Sequence, residues 1–144
     1  MPTLFKFEIY TPYRRFFSES VEAVLITLAD GEICIYANHS NFVAPSLSCI
    51  LRIKNNKGEW QSAFVSEGII EVKQGRFRNV LIVDSAEWPR EIDPIRARAA
   101  KEQAEKSLES AMMKFEKESA KTKLRRAEYR LKAYELKVEG QPRS

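Results

Sequence analysis

Glycine and proline are missing from a continuous stretch of 45 residues, Ile95 to Glu139, although the 144-residue chain holds five glycines and six prolines elsewhere. That absence excludes a turn-rich fold over the stretch and leaves a helical one. Histidine is almost lacking. His39 is the sole one, which excludes two-histidine metal motifs, and no glycine-rich phosphate loop occurs. The two cysteines, Cys34 and Cys49, sit inside apolar stretches; without nearby histidines they cannot complete a zinc site, and buried, inert thiols are expected. No apolar run is long enough for a membrane span or a signal peptide, so cytosolic residence is the expectation. No carboxylate pair stands out from the helix-surface charge pattern, and His39, within Ala37-Asn38-His39-Ser40-Asn41, reads as a loop residue hydrogen-bonded to backbone. Catalysis is the least supported class.

What is present divides the chain in two. Gly31, Gly58, Gly68 and Gly75 punctuate short stretches rich in Val, Ile and Phe in the first part. Phe5, Phe7 and Ile9 alternate with Lys6 and Glu8, placing three apolar side chains on one face of a strand. Val21 to Leu28 reads as a strand ended by Asp30-Gly31, with Glu32 to Tyr36 as its hairpin partner. Cys49 to Ile53 and Trp60 to Val65 flank the turn Asn55-Asn56-Lys57-Gly58; Ile69 to Lys73 and Arg76 to Val83 flank Gln74-Gly75. Short strands with turns at these intervals predict an α+β chain: an antiparallel β-sandwich or barrel over residues 1–88, a helical region over 89–139, and a flexible tail at 140–144.

Asp93-Pro94 is a strong helix start, since the carboxylate accepts from first-turn amides and proline at the first helical position loses no needed donor. Ala97, Ala100, Ala104, Leu108 and Ala111 then form a thin stripe at spacings of three and four, and Leu124, Ala127, Leu131, Tyr134 and Val138 form a second. Two such stripes predict an antiparallel helical hairpin. Only Ser107, Ser110, Ser119 and Thr122 weaken the helix between them, each by less than about 1 kcal/mol. Run straight, the stretch spans roughly 65 to 70 Å, so hairpin and extended rod are close in energy.

The net charge of +4 is unevenly spread. From Asp93 onward there are 14 Lys/Arg against nine acids, while the preceding part holds 10 against 11. A basic tail suits an acidic or phosphate-bearing partner, or is simply a solvated helix face. Arg126 and Arg130 are four apart on one helix face and Arg96 lies in the first turn of the other helix. If the helices fold back, the three converge near Asp93 as a fork for a polyphosphate; the alternative is three exposed arginines with local partners such as Glu102.

Phe7-Glu8-Ile9, Thr11-Pro12, Val21-Glu22-Ala23-Val24, Gly31-Glu32, His39, Leu51-Arg52-Ile53, Val65 to Val72, Ala86-Glu87 and Ile92-Asp93-Pro94-Ile95-Arg96-Ala97 together resemble, in order and spacing, the epsilon subunit family of F-type rotary ATP synthases. The last of these is similar to that family's I/L-D-x-x-R-A motif, and the likeness runs to about residue 138. It implies a non-catalytic rotor subunit with no required cofactor. The sandwich would bind the gamma subunit and the c-subunit ring through the region of Asp30, Gly31, Glu32 and His39. The tail would fold beside the sandwich or extend toward the beta subunits, where Lys121, Lys123, Arg125 and Lys132 would meet an acidic segment and hydrolysis would be inhibited. Some members bind a regulatory ATP between the folded helices; the matching residues are Glu87, Ile92, Asp93, Arg96, Ala97, Arg126 and Arg130. The implied place is peripheral, on the cytoplasmic face of a bacterial inner membrane.

The chain departs from the family pattern in three places. Cys34 to Phe42 replaces the usual G-x-L/I-P-G-H-A-P-L loop, Cys49 replaces a glycine, and Gln103 stands where ATP-binding members carry an arginine. A rival from another class is a nucleic-acid-binding module using the basic helices, although nine acids interrupt the tail and no aromatic stacking set lies on the strands. A small-molecule-binding sandwich with a dimerising coiled-coil tail is the other.

Overall fold

The computed structural model describes residues 3–73 and 78–138, the last two by backbone only. The strands are β1 Phe5–Tyr10, β2 Arg15–Leu28, β3 Gly31–Ile35, β4 Phe42–Ser46, β5 Cys49–Asn55, β6 Trp60–Val65, β7 Gly68–Lys73, β8 Arg78–Val83 and β9 Ala86–Glu87. A 3₁₀ turn at Pro89–Glu91 precedes helices α1 (Pro94–Ser110) and α2 (Lys114–Val138). The turn expected at Gln74-Gly75, the side chain of Val138 and the 140–144 tail lie outside the described residues. No described helix is long and apolar enough to cross a membrane.

The strands build a two-layer sandwich, in the order β1-β8-β7-β4-β2-β5-β6-β9 with β3 beside β2. The 14-residue β2 serves both layers: Arg15 to Val21 pairs with β1, and Val24 to Leu28 pairs with β3. A register shift between Val21 and Ala23, where β2 meets β5, supplies the bend that carries one strand across two sheets. Pairing is antiparallel throughout the described strands except between β1 and β8, which run parallel.

Alternation sets the core. Phe5, Phe7 and Ile9 point inward as their spacing predicts, joining Phe17, Val24, Ile26, Leu51, Ile53, Ile70 and Leu81. The β5–β6 hairpin turns as expected, with Gly58 at φ +79° and Asn55 Oδ1 accepting from the amides of Lys57 and Glu59. Strand β4 had no signal in the sequence because Pro45 speaks against one. Its partner on one side is β7, but it touches β2 only at Leu28–Ser46, so it is close to an edge, where a residue without an amide donor is tolerated.

Asp93 caps α1, Oδ1 accepting from the amides of Ile95 and Arg96 at 3.0 and 3.3 Å, with Pro94 in the first turn. The helices form a hairpin that turns at Ala111-Met112-Met113. With no breaker available, side chains close it. Ser110 Oγ donates to the Lys106 carbonyl, and Glu116 Oε1 accepts from the Met113 amide at 3.0 Å. Ala97, Ala104, Ala120 and Ala127 are buried; such small side chains let helix backbones approach closely. Two details differ from the expected stripes. Ala100 is exposed, and Ala120 and Ala133, which the periodicity missed, are buried.

α2 lies on the sandwich. In β6 the run Ala63-Phe64-Val65 is buried on both faces, because Phe64 points away from the sandwich core into a second cluster with Ile92 and Ala133, flanked by Ile50, Tyr129 and Tyr134. Burial of this face against the helix, at about 25 cal/mol per Å² of apolar surface removed from water, docks the hairpin.

Candidate functional site: the seam between sandwich and helical hairpin

Where the linker turns into α1, a cleft of about 390 Å³ opens, lined by Ser85, Glu87, Glu91, Asp93, Arg96, Ala97, Ala100 and Arg130. Five of the seven residues expected around a nucleotide therefore share one cleft. Ile92 is buried just behind it, against Phe64 and Ala133. Arg130 comes from α2 and is already engaged: its Nε donates to Glu87 Oε1 at 2.5 Å, a second nitrogen donates to Ser85 Oγ at 3.3 Å, and its guanidinium lies 4.6 Å from the Phe64 ring centroid. The Arg96 side chain is exposed and makes no hydrogen bond or ion pair among the described residues. Gln103 is exposed outside the lining. The cleft thus offers two guanidiniums and three carboxylates, so an anion entering it must compete with Glu87 for Arg130.

Arg126 is not in the lining. One turn from Arg130, it reaches the opposite way along the seam and grips Glu67 through two parallel hydrogen bonds, Nε to Oε1 at 2.8 Å and Nη2 to Oε2 at 2.7 Å. Nη2 also reaches Asp84 Oδ2 at 3.0 Å. Ser48 Oγ donates to Glu67 Oε1 at 3.0 Å, and the Ser48 carbonyl accepts from Arg125 Nε at 2.9 Å. Burial pushes the Glu67 carboxyl up, but its hydrogen bonds from Arg126, backbone and Ser48 outweigh that and hold it below its ordinary value. The Glu67 hydrogen bond raises Arg126 against the opposing effect of burial. Neither Glu67 nor Asp84 stood out in the sequence. The one available signal was a carboxylate beside a glycine in a strand connection, Glu67-Gly68.

The linker is pinned as well. Trp88 stacks on Phe16, ring centroids 4.6 Å apart, and Arg14 donates to Glu91 at 2.9 Å and to the Ala86 carbonyl. Burial raises the Glu91 carboxyl, yet the Arg14 hydrogen bond and its neighbours bring it below the ordinary value.

Residues 4–89 match the family model of the ATP synthase delta/epsilon chain β-sandwich domain, and residues 90–135 match that of its long α-helix domain. The chain belongs to the ATP synthase delta/epsilon family. It is 41% identical to the ATP synthase epsilon chain of Caldicellulosiruptor saccharolyticus over 136 residues, covering 94% of this chain and 97% of that one. It is 39% identical to the epsilon chain of Caldanaerobacter subterraneus subsp. tengcongensis over 92% and 94% of the two chains. A chain in the cryo-EM structure of the Euglena gracilis mitochondrial ATP synthase (OSCP/F1/c-ring, rotational state 1) matches at a TM-score of 0.75 and 21% identity, over 92% of this chain and 82% of that chain. At that identity the likeness carries the fold alone.

In this family member none of the residues expected at the rotor lines that cleft, although Glu32 borders a second one with Tyr129 and Leu136 of α2. Asp30, Gly31 and Glu32 are exposed where β2 turns into β3. His39 is half-buried, its Nδ1 2.9 Å from the Ser40 carbonyl and its ring beside Phe42, so it is held to backbone as expected. Cys49 is buried, and burial pushes its thiol up. The basic residues expected at a beta subunit divide: Lys121, Lys123 and Lys132 are exposed, Lys132 over the Tyr129 ring, whereas Arg125 is half-buried between Tyr129 and Ser48. Sequence reasoning missed an exposed apolar strip on one sheet, Val43, Pro45, Ile69 and Ile82, brought together by the pairings Pro45–Ile69 and Ile69–Ile82.

Proposed function

We propose that this chain is the non-catalytic epsilon subunit in the central stalk of a bacterial ATP synthase, peripheral on the cytoplasmic face of the inner membrane. Its sandwich would couple rotation of the c ring to the gamma subunit, and its helical hairpin would regulate ATP hydrolysis. The observation that carries this is the agreement of two successive family matches, residues 4–89 and 90–135, with a sandwich followed by two helices in one fold. The apolar strip of Val43, Ile69 and Ile82 is the sandwich face suited to gamma, since exposed apolar patches rimmed by polar residues mark protein contacts. Asp30, Gly31, Glu32 and His39 are read as turned toward the c ring and gamma.

When the tail extends, Lys121, Lys123, Arg125 and Lys132 face an acidic segment of beta and oppose hydrolysis. Arg125 is then the residue that changes partner, leaving the Ser48 carbonyl. A regulatory ATP would sit in the seam cleft, its phosphates on Arg96 and Arg130, and favour the folded form by binding it selectively. The deciding experiment is co-purification of tagged chain with gamma co-expressed: recovery in a stable complex is expected, and absence of gamma would overturn the reading. The nucleic-acid reading has no support in the fold or the relatives.

A further inference from the structure

The seam carries a second device besides the cleft. Three connections of the sandwich meet at one end: β4 to β5 supplies Ser48, β6 to β7 supplies Glu67, and β8 to β9 supplies Asp84. The middle of α2 presents Arg125 and Arg126 to all three. We propose that Arg126 with Glu67 and Asp84 is a ligand-independent clasp, which keeps the helical hairpin folded on the sandwich when no nucleotide is bound and yields to ionic strength.

A fork-to-carboxylate pair requires both partners in one plane and one orientation, so it forms only when α2 lies against the sandwich in this register. Glu67 is itself oriented by Ser48 Oγ, which removes part of the ordering cost a free surface pair would bear. The Glu67 and Arg126 side chains keep only 33% and 30% of their accessible surface, so the pair is partly sheltered, while Asp84 at 72% is open to solvent and adds little. Extension of the tail breaks every Arg126 bond together, since all run between α2 and the sandwich. Arg126 therefore spends the folded state on protein carboxylates, and the cleft is left with Arg96 and Arg130 as its cations.

The clasp does not depend on the subunit's partners, and its test uses the isolated full chain without nucleotide. Hydrogen exchange of α2 amides is followed in wild type, E67Q, R126Q and the double variant, with amides of β5 and β6 as the internal reference. Each single variant should speed α2 exchange roughly three- to tenfold, the scale of a sheltered ion pair, and the double variant should match either single one. In wild type, raising salt from about 0.05 to about 1 M should speed α2 exchange in the same direction, with little further change in E67Q. Unchanged α2 exchange in both singles, or additive effects in the double, overturns the clasp while leaving gamma binding untouched. Should E67Q loosen the sandwich as well, R126Q and the wild-type salt response decide: no effect in either overturns the proposal.

Discussion

Glu67 shows how one carboxylate acquires two opposing influences. Burial favours its neutral form, and the fork of Arg126 favours the ion; the second prevails and the folded-state value lies below the ordinary one. A depressed carboxylate contributes stability that is complete above its unfolded value, near 4.3 for Glu, and is lost as pH falls through its lower folded value. Wild type should therefore melt a few degrees above E67Q at neutral pH, for a contribution of about 1 kcal/mol after allowing for solvent screening. The gap should close below about pH 4, with scanning calorimetry of the two chains across pH as the check; a gap that persists in acid contradicts the ion pair. Arg96 makes the complementary prediction, because it faces the cleft without a partner among the described residues. Calorimetric titration with ATP is expected to give saturable heat, weakened about tenfold or more in R96A through loss of a charge-assisted contact. Equal binding in wild type and R96A would place the phosphates elsewhere.

At the scale of elements, α2 is held by a small apolar cluster and a line of polar bonds, and the hairpin turn by side-chain caps and the backbone hydrogen bond from Ala111 to Leu108. Ala133 is fully buried against Phe64 and Ile92, leaving no room for a larger side chain. A133L should overpack this contact at a cost of about 1 to 3 kcal/mol and push α2 off the sandwich, seen as faster exchange in α2 with β5 unchanged. Retained protection would mean the helix shifts to accommodate it. Met112, Met113 and Phe115 are left exposed around the turn; burial therefore supplies little there, so the bend is the weakest point of the hairpin.

For the whole molecule, the two outer faces of the sandwich have different fates. The β5–β6 face is covered by the chain's own helix, whereas the face bearing Val43, Ile69 and Ile82 is open. Ile69→Asp places a charge in the middle of that open face without touching the core, so the chain should keep its melting temperature within about 2 °C while affinity for gamma falls at least about tenfold. Surface binding measurements on purified subunits test it, and undiminished affinity would move the gamma contact to another face.

Residue order alone determined the two-part plan, the first and second hairpins and the start of α1, because each rests on local physics: alternation, turn chemistry at Asn55 to Gly58, and a carboxylate before Pro94. Part of the cleft lining was legible too, since Asp93, Arg96 and Ala97 sit on one short motif. Only the tertiary structure decided which two of the three arginines face the cleft, that β1 runs parallel to β8, that Pro45 lies in a strand, and that Glu67 and Asp84 receive Arg126. Those outcomes depend on groups distant along the chain, 42 and 59 residues for Arg126 with Asp84 and Glu67, and neither periodicity nor spacing registers a pairing made by folding one element across another.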